Sequence, residues 1–409
     1  MAASGAQGLV LQRDDHRGQA LSSGLHFTVD DVDYLTSQQG SAALADVAAL
    51  PLTDRIADIG TVRARYGPRT PVLIETTLLR RKAAAKLVDA NGWLFTDEAL
   101  QQATASAVAA HRARRLSGRP VHDVTCSIGA ELAALRGSDI VVGSDLDPVR
   151  LAMAQHNLGG TVVVCRADAL HPITRDTVVI ADPARRSGGR RRFDPRDYTP
   201  ALDAALEVYR GRDLVVKCAP GIDFDAVRRL GFDGEIEVTS FGGSVREACL
   251  WSPGLAGPGV GRRASLLDRD EEITDAEPDD CAVAPAGRWI VDPDGAVVRA
   301  GLVRHYAVRH GLWQLDPDIA YLSGDQLPPG VRGFEVLEQV AFSEKRLRQA
   351  LSALDTGPLE ILVRGADVDP DVLRRRLRLT GTQPRSVVIT RLGTGPAARV
   401  FAFVCRPSR

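Results

Sequence analysis

Apolar positions along this chain keep two different spacings. Over residues 31–50, 52–66, 72–87 and 96–116 they recur every three or four residues, with Asp, Thr or Pro at plausible starts. That spacing puts an apolar stripe on one face of a 3.6-residue repeat and predicts four helices. Thr96-Asp97-Glu98 reads as a cap in front of the last of them, ALQQATASAVAAHRARRL. From Val121 the pattern changes to short apolar runs separated by helical stretches. Residues 121–157 read as a buried strand, a Gly-turn, a helix, a second strand closing on Asp145, and another helix. More strands are predicted at TVVIA (177–181), DLVVK (213–217), EIEVTS (235–240) and EACLW (247–251), with helices over 198–209 and 224–230. Strand and helix in alternation predict a doubly wound α/β domain.

Past Trp251 the signal thins. Residues 252–280 hold Gly/Pro turns and the acidic run EEITDAEPDD, which reads as a solvated loop or linker with a short strand near 263–267. GRWIVDPDGAVVRAGLVRHYAVRHGLWQLDPDIAYLSGD then predicts a strand, a turn at Asp292-Pro293-Asp294-Gly295 and a helix. The end is a compact α/β unit: strand FEVLEQV, helix SEKRLRQALSAL, strand LEILVRG, helix DPDVLRRRLRL, and final strands SVVITRL and ARVFAFVC. The expected division is a loose terminus (1–20), a helical domain (21–116), an α/β domain (117–251), a linker or accessory segment (252–330) and a terminal domain (331–409).

Composition narrows the class. A chain of 409 residues is too long for one ordinary domain, and 44% hydrophobic content is that of a globular protein. A net charge of -1 supplies no global field toward nucleic acid or membrane, so any basic surface must be local. Lysine stands only at 82, 86, 217 and 345, and arginine supplies nearly all the positive charge. Six cysteines are scattered without a CxxC or a metal-like cluster, which points to reduced thiols, no metal and a cytoplasmic setting. MAASGAQGLVLQRDD does not read as a signal peptide, and no run of 18 apolar residues predicts a membrane span.

The chemistry lies in the turn Asp123-Val124-Thr125-Cys126-Ser127-Ile128-Gly129, small and polar enough for its backbone to approach a ligand at the carboxyl end of a strand. Asp145 closes the next strand about 20 residues on, where a carboxylate can accept both hydroxyls of a ribose. A dinucleotide fingerprint needs three glycines in G-x-G-x-x-G, and only Gly129 stands in such a position. The chain has no G-x-x-x-x-G-K-[ST] either, so a P-loop is excluded. S-adenosylmethionine is the remaining common ligand of this architecture.

With those residues the chain resembles the class I methyltransferase family: 123–129 is similar to its first motif, Asp145-Leu146-Asp147-Pro148 to the second, Arg166-Ala167-Asp168-Ala169 to the third and Asp182-Pro183-Ala184-Arg185 to the fourth. The resemblance implies a Rossmann-like sheet binding S-adenosylmethionine, with Asp145 on the ribose, Leu146 on the adenine, and Asp168 with Ala169 at the adenine amino group. Asp123, Thr125, Cys126, Ser127 and Gly129 would surround the methionyl part. Ser127 stands where the family more often has glycine. Phe95 and Thr96, at the start of the preceding helix, would fold over the cofactor.

Residues 331–409 resemble the THUMP-like domain that accompanies a methyltransferase in one bacterial family, and the likeness extends to LLRRKAAAKL and the LQQAT helix. True THUMP domains help dock structured RNA, so the resemblance implies tRNA or rRNA as the partner. Local charge agrees. Arg185, Arg186, Arg190, Arg191 and Arg192 follow the fourth motif, and Arg374, Arg375 and Arg376 form a second cluster.

Two short sequences bear on the reaction. Base amino-group methylases have [DN]-P-P-[YFW]; Asp182-Pro183 is present, but Ala184-Arg185 replaces the proline and the stacking aromatic. Amino-group methylation is the favoured expectation. The alternative is carbon methylation of the 5-methyluridine type, with Cys218 of Val216-Lys217-Cys218-Ala219-Pro220 as nucleophile and Lys217 lowering its pKa. A small-molecule or protein substrate, or a non-catalytic RNA-binding role, would leave the arginines or the carboxylates without a task.

Overall fold

The computed structural model describes residues 25–53, 55–137, 140–184, 186–187, 190–191, 195–393 and 395–408. Six helices come first: α1 (Val29–Thr36), α2 (Gln38–Ala48), α3 (Arg55–Tyr66), α4 (Thr70–Ala83), α5 (Asp97–Gln102) and α6 (Ser106–Arg115). Thr28 and Asp31 open α1 with a reciprocal capping box. Ser37 then ends α1 and caps α2 through its hydroxyl, so the single helix expected over 31–50 is two. The helix expected over 96–116 is also two. Its first half is capped by Thr96, and it breaks at Ala103, whose ψ of 138° leaves the helical region.

The larger sheet holds β1 (Val121–Asp123), β2 (Val141–Asp145), β3 (Val163–Arg166), β4 (Val178–Ala181), β7 (Leu214–Cys218), β8 (Glu235–Phe241), β9 (Ser244–Trp251), β10 (Arg262–Leu266) and β11 (Glu271–Thr274). The intervening β5 (Arg186–Ser187) and β6 (Arg190–Arg191) form a separate two-residue hairpin. The strand order is β11-β10-β8-β9-β7-β4-β1-β2-β3. Strands β3, β2, β1, β4 and β7 are parallel, and β9 runs antiparallel between β7 and β8. The chain winds from β1 through β2 to β3, then crosses to the other side of β1 at β4. That reversal opens a crevice beyond the carboxyl ends of β1 and β4. The helices α7 (Ala130–Ala134), α8 (Pro148–Asn157), α9 (Leu202–Val208) and α10 (Phe224–Arg229) link these strands.

The stretch 252–330, expected as a linker or accessory segment, is shared between two sheets. β10 and β11 extend the larger sheet, β10 pairing parallel with β8 and β11 antiparallel with β10. After them β12 (Trp289–Val291), β13 (Trp313–Asp316) and β14 (Ile319–Gly324) join β15 (Gly333–Ala341), β16 (Thr356–Arg364), β17 (Gln383–Leu392) and β18 (Arg399–Pro407) in the order β13-β14-β12-β15-β18-β17-β16. Turn-rich composition suggested a linker, whereas the short strands between those turns find partners far along the chain. Two helices, α11 (Gly295–Ala300) and α12 (Val303–Arg309), stand between β12 and β13 in sequence, and α13 (Glu344–Ala353) with α14 (Pro370–Leu377) covers the smaller sheet.

Cores run across these boundaries. The helical unit's core takes in Ile128 from the turn after β1 and Met153 from α8. Val238, Ala264, Leu266 and Ile273 of the larger sheet share a core with Val291, Val297, Tyr306 and Leu322. No helix of the described residues is long and apolar enough to cross a membrane.

Candidate active site

The turn after β1 lies against β2 because Gly143 has no side chain. A Cβ there would meet Leu132 Cδ1 at 2.4 Å and Cys126 Sγ at 3.1 Å. Gly129 takes φ +84° at the start of α7, where a Cβ would meet Leu158 Cδ1 at 3.0 Å. Ser127 is also left-handed, at φ +48°. Its amide donates to Asp145 Oδ2 at 3.0 Å, while the Asp147 amide donates to Asp145 Oδ1 at 2.9 Å. Asp147 in turn caps α8. The carboxylate closing β2 is thus oriented by two backbone donors and keeps unused lone pairs.

Together these elements border a cleft of about 390 Å³ at the carboxyl ends of the central strands. Asp145 and Leu146 form one wall, and Leu146, 58% exposed, offers an apolar face to the cleft. Asp168 lies beyond β3, its carboxyl held below the usual range by the Leu170 amide and then by His171. On the far side stand Asp182, Ala184, Thr199 and Pro200. The break between α5 and α6 closes the cleft from above with Gln102, Ala103 and Thr104.

The floor is charged and buried. Lys217, 7% exposed, places Nζ 2.6 Å from Asp182 Oδ2 and 3.6 Å from Glu131 Oε2. Arg112, 2% exposed on α6, donates to Glu131 Oε1 at 2.8 Å and also bonds Glu247. Burial alone would push the Lys217 ammonium down, but Asp182 and Glu131 reverse that and hold it protonated. Burial pushes the Asp123 carboxyl up to about 7, against the opposing pull of Lys217. Thr125 ties the two acids together: its amide donates to Asp123 Oδ1 at 3.0 Å, and its hydroxyl accepts from the Asp182 amide at 2.6 Å.

Asp123, Thr125, Cys126, Ser127, Asp145, Leu146, Asp168, Ala169, Asp182 and Lys217 therefore meet at one cleft. Gly129 borders it only through its neighbours, and Pro183 is not part of its lining. Phe95 and Thr96 stand apart: Phe95 is wholly buried in the helical core, and Thr96 spends its hydroxyl on the Ala99 amide. Cys218 also stands apart. Neighbouring residues of a strand face opposite ways, so Lys217 turns to the cleft and Cys218 into the apolar core with Val124 and Ala181. Arg185 and Arg192 lie outside the described residues, and Arg186, Arg190 and Arg191 fall in the β5–β6 hairpin. Arg374, Arg375 and Arg376 are exposed on α14, where Arg374 bonds Leu359 and Asp371 and Arg376 pairs with Glu344. Residue-by-residue reading missed Arg112, Glu131, Gln102 and Thr104. Among the described residues no three His, Cys, Asp or Glu side chains form a group fit to hold a metal.

A crevice at the strand reversal, with acids after β1, β2, β3 and β4 and no pyrophosphate-binding glycines, defines a class I methyltransferase rather than a dinucleotide enzyme. Two uncharacterised S-adenosylmethionine-dependent methyltransferases, of Mycobacterium tuberculosis strains CDC 1551 and H37Rv, are each 69% identical over 358 residues, covering 85% of this chain and 100% of theirs. The chain belongs to this family of S-adenosylmethionine-dependent methyltransferases. Residues 331–407 match the "THUMP domain-like" family. A crystal structure from Porphyromonas gingivalis W83, assigned as a methyltransferase, shares the fold at a TM-score of 0.71 and 18% identity, over 90% of this chain and 99% of that one.

Proposed function

We propose that the protein methylates an exocyclic amino group of a base in structured RNA, tRNA or rRNA, within the cytoplasm. The observation that carries the reaction type is Asp182: its carboxylate is pinned by Lys217 at 2.6 Å and its amide by Thr125 at 2.6 Å, at the rim of the cleft. A carboxylate so fixed accepts a hydrogen bond from an amine and aims its nitrogen lone pair inward; methyl transfer then needs mainly in-line proximity. When bound, S-adenosylmethionine supplies the electrophilic methyl group. Asp145, Leu146 and Asp168 would hold its adenosine, and the turn 123–129 its methionyl end. With Lys217 locked as an ammonium, it acts by holding Asp182 rather than as a base.

Arg185 stands where amino-group methylases have the stacking aromatic, so the base must be held by other surfaces, for which Gln102, Thr104 and Pro200 line the same cleft. Burial of Cys218 in the core, at 1% exposure, favours this reading over carbon methylation. Support for RNA comes from the THUMP domain-like match and from the arginines that follow Asp182-Pro183. The test is methyl transfer from labelled S-adenosylmethionine to total RNA of a strain lacking the gene, followed by nucleoside mass spectrometry. A labelled N-methylated base is the expected product. Labelled 5-methyluridine would overturn the amino-group reading, and unlabelled RNA with intact cofactor binding would overturn RNA as substrate.

A further inference from the structure

Glu131 is the one acid of the cleft that motif comparison does not reach. It sits in α7, is 4% exposed and lines the cleft. Its two carboxylate oxygens are treated differently. Oε1 accepts from Arg112 at 2.8 Å, whereas Oε2 is buried and accepts no hydrogen bond among the described residues. Lys217 Nζ, at 3.6 Å, is beyond hydrogen-bond reach and already committed to Asp182. An unsatisfied buried carboxylate oxygen is costly, and a donor brought by a ligand removes the cost.

The surroundings say which donor. Four carboxyl groups, Asp123, Glu131, Asp182 and Glu247, interact here with two cations, Arg112 and Lys217. Lys86, farther out, spends its ammonium on the carbonyls of Leu100 and Gln101. With the Asp123 carboxyl pushed up to about 7, Glu131, Asp182 and Glu247 still outnumber Arg112 and Lys217, an excess of negative charge that a neutral base amine does not offset. Position agrees, because Glu131 follows the turn after β1, between the adenosine side at Asp145 and the acceptor side at Asp182.

We propose that Glu131 Oε2 receives the α-ammonium of the methionyl end of the methyl donor and of its product. This rests on the cofactor placement proposed above and not on the identity of the acceptor. Glu131 is then a binding residue that reads the amino-acid end, while Asp145 and Asp168 read the nucleoside.

Calorimetry with three probes tests it: S-adenosylhomocysteine, its deaminated analogue with hydrogen in place of the amine, and 5′-methylthioadenosine, which lacks the amino-acid end. The wild-type protein should bind the deaminated analogue about 10- to 100-fold more weakly than S-adenosylhomocysteine, the range for one charge-assisted hydrogen bond. Glu131→Gln should erase that preference while leaving affinity for 5′-methylthioadenosine within about two-fold. Glu131→Asp, which keeps the charge beside Arg112 and Lys217 but draws the oxygen back by one methylene, should reduce the preference. Equal binding of the two amino-acid probes by the wild type overturns the proposal whatever the variants do. An equal loss for all three probes in both variants also overturns it, making Glu131 a support for the floor. Asp145→Ala separates the underlying reading: unchanged 5′-methylthioadenosine affinity there would refute the nucleoside placement while leaving the amine result to stand by itself.

Discussion

Lys217 shows how a single position sets the character of the cleft. An ammonium 7% exposed survives because Asp182 lies at 2.6 Å and Glu131 at 3.6 Å. Lys217→Met keeps the volume and removes the charge, leaving the buried Glu131 and the half-buried Asp182 without the ammonium they share. Breaking a buried pair from one side costs about 3–5 kcal/mol, so chemical denaturation should show a loss of that order together with loss of methyl transfer. A variant as stable as wild type would show that the pair contributes little net energy. Asp123 gives a pH signature. Its folded-state pKa of about 7 lies above the ordinary value of 3.8, so the folded protein keeps a proton that the unfolded chain releases. This contribution to stability is full below about pH 4, falls as pH rises to about 7 by up to roughly 1.4 kcal/mol per unit, and is flat above. Glu237 acts in a separate window: burial opposes its charge, but His111 and Arg115 outweigh that and depress its pKa, so its contribution is lost only below about pH 4. Asp123→Asn should flatten the slope between pH 4 and 7 in denaturant titrations of the cofactor-free protein; an unchanged slope would place the titrating group elsewhere. Asp145, Asp168 and Asp182 were legible because each follows an apolar run that reads as a strand. Glu131 and Arg112 were not, since Arg112 meets partners 19 and 135 residues away and only the fold brings them together.

Elements were legible in proportion to how locally they are determined. The strands of the larger sheet stand out as apolar runs, and the structure places β4, β7, β8 and β9 on them within a few residues. The break between α5 and α6 was not legible, because Ala103-Thr104-Ala105 carries no glycine or proline and its spacing suits a helix. Tertiary contacts decide it. Lys86 caps the carbonyls of Leu100 and Gln101, and the Ser106 amide and hydroxyl bond the backbone of Lys86 and Val88. The hairpin of β13 and β14 was missed for the opposite reason, as its turn at Asp316-Pro317-Asp318 was read together with the helix before it. Local capping at α8 is testable by itself. Asp147 accepts from the amides of Val149 and Arg150, and its own amide orients Asp145. Asp147→Ala should cost about 1 kcal/mol, read as a lower denaturation midpoint, and should weaken S-adenosylhomocysteine binding less than Asp145→Ala does. An equal loss of binding would mean that the cap, rather than the Asp145 carboxylate, governs the site.

At the scale of the whole molecule, strands from distant segments pair across the boundaries expected from composition. Ile290, Leu315, Ile319 and Tyr321, from β12 to β14, share a core with Phe334, Val388, Phe403 and Cys405 from the terminal unit. A chain stopped at residue 330 would expose all four, at about 1.5–3 kcal/mol for each buried apolar side chain, and should be recovered as aggregate. A soluble, cofactor-binding product of that length would show the larger sheet to be independent of the smaller one. The same continuity bears on where RNA would dock, because two arginine clusters on one connected body could each contribute. Counterion release separates them: each phosphate contact adds about 0.7 to 0.9 to the slope of log affinity against log salt. Replacing Arg190, Arg191 and Arg192 together should lower that slope by about 2 to 3 and weaken binding in proportion. Replacing Arg374, Arg375 and Arg376 should lower it by about 1, since Arg374 and Arg376 already pair with Asp371 and Glu344 and must break those contacts to reach a phosphate. A larger drop from the α14 substitutions would move the main contact to the terminal unit and leave the loop after Asp182 to position only the target base. A slope unchanged by either set would remove both clusters from the interface, and with them the charge argument for RNA.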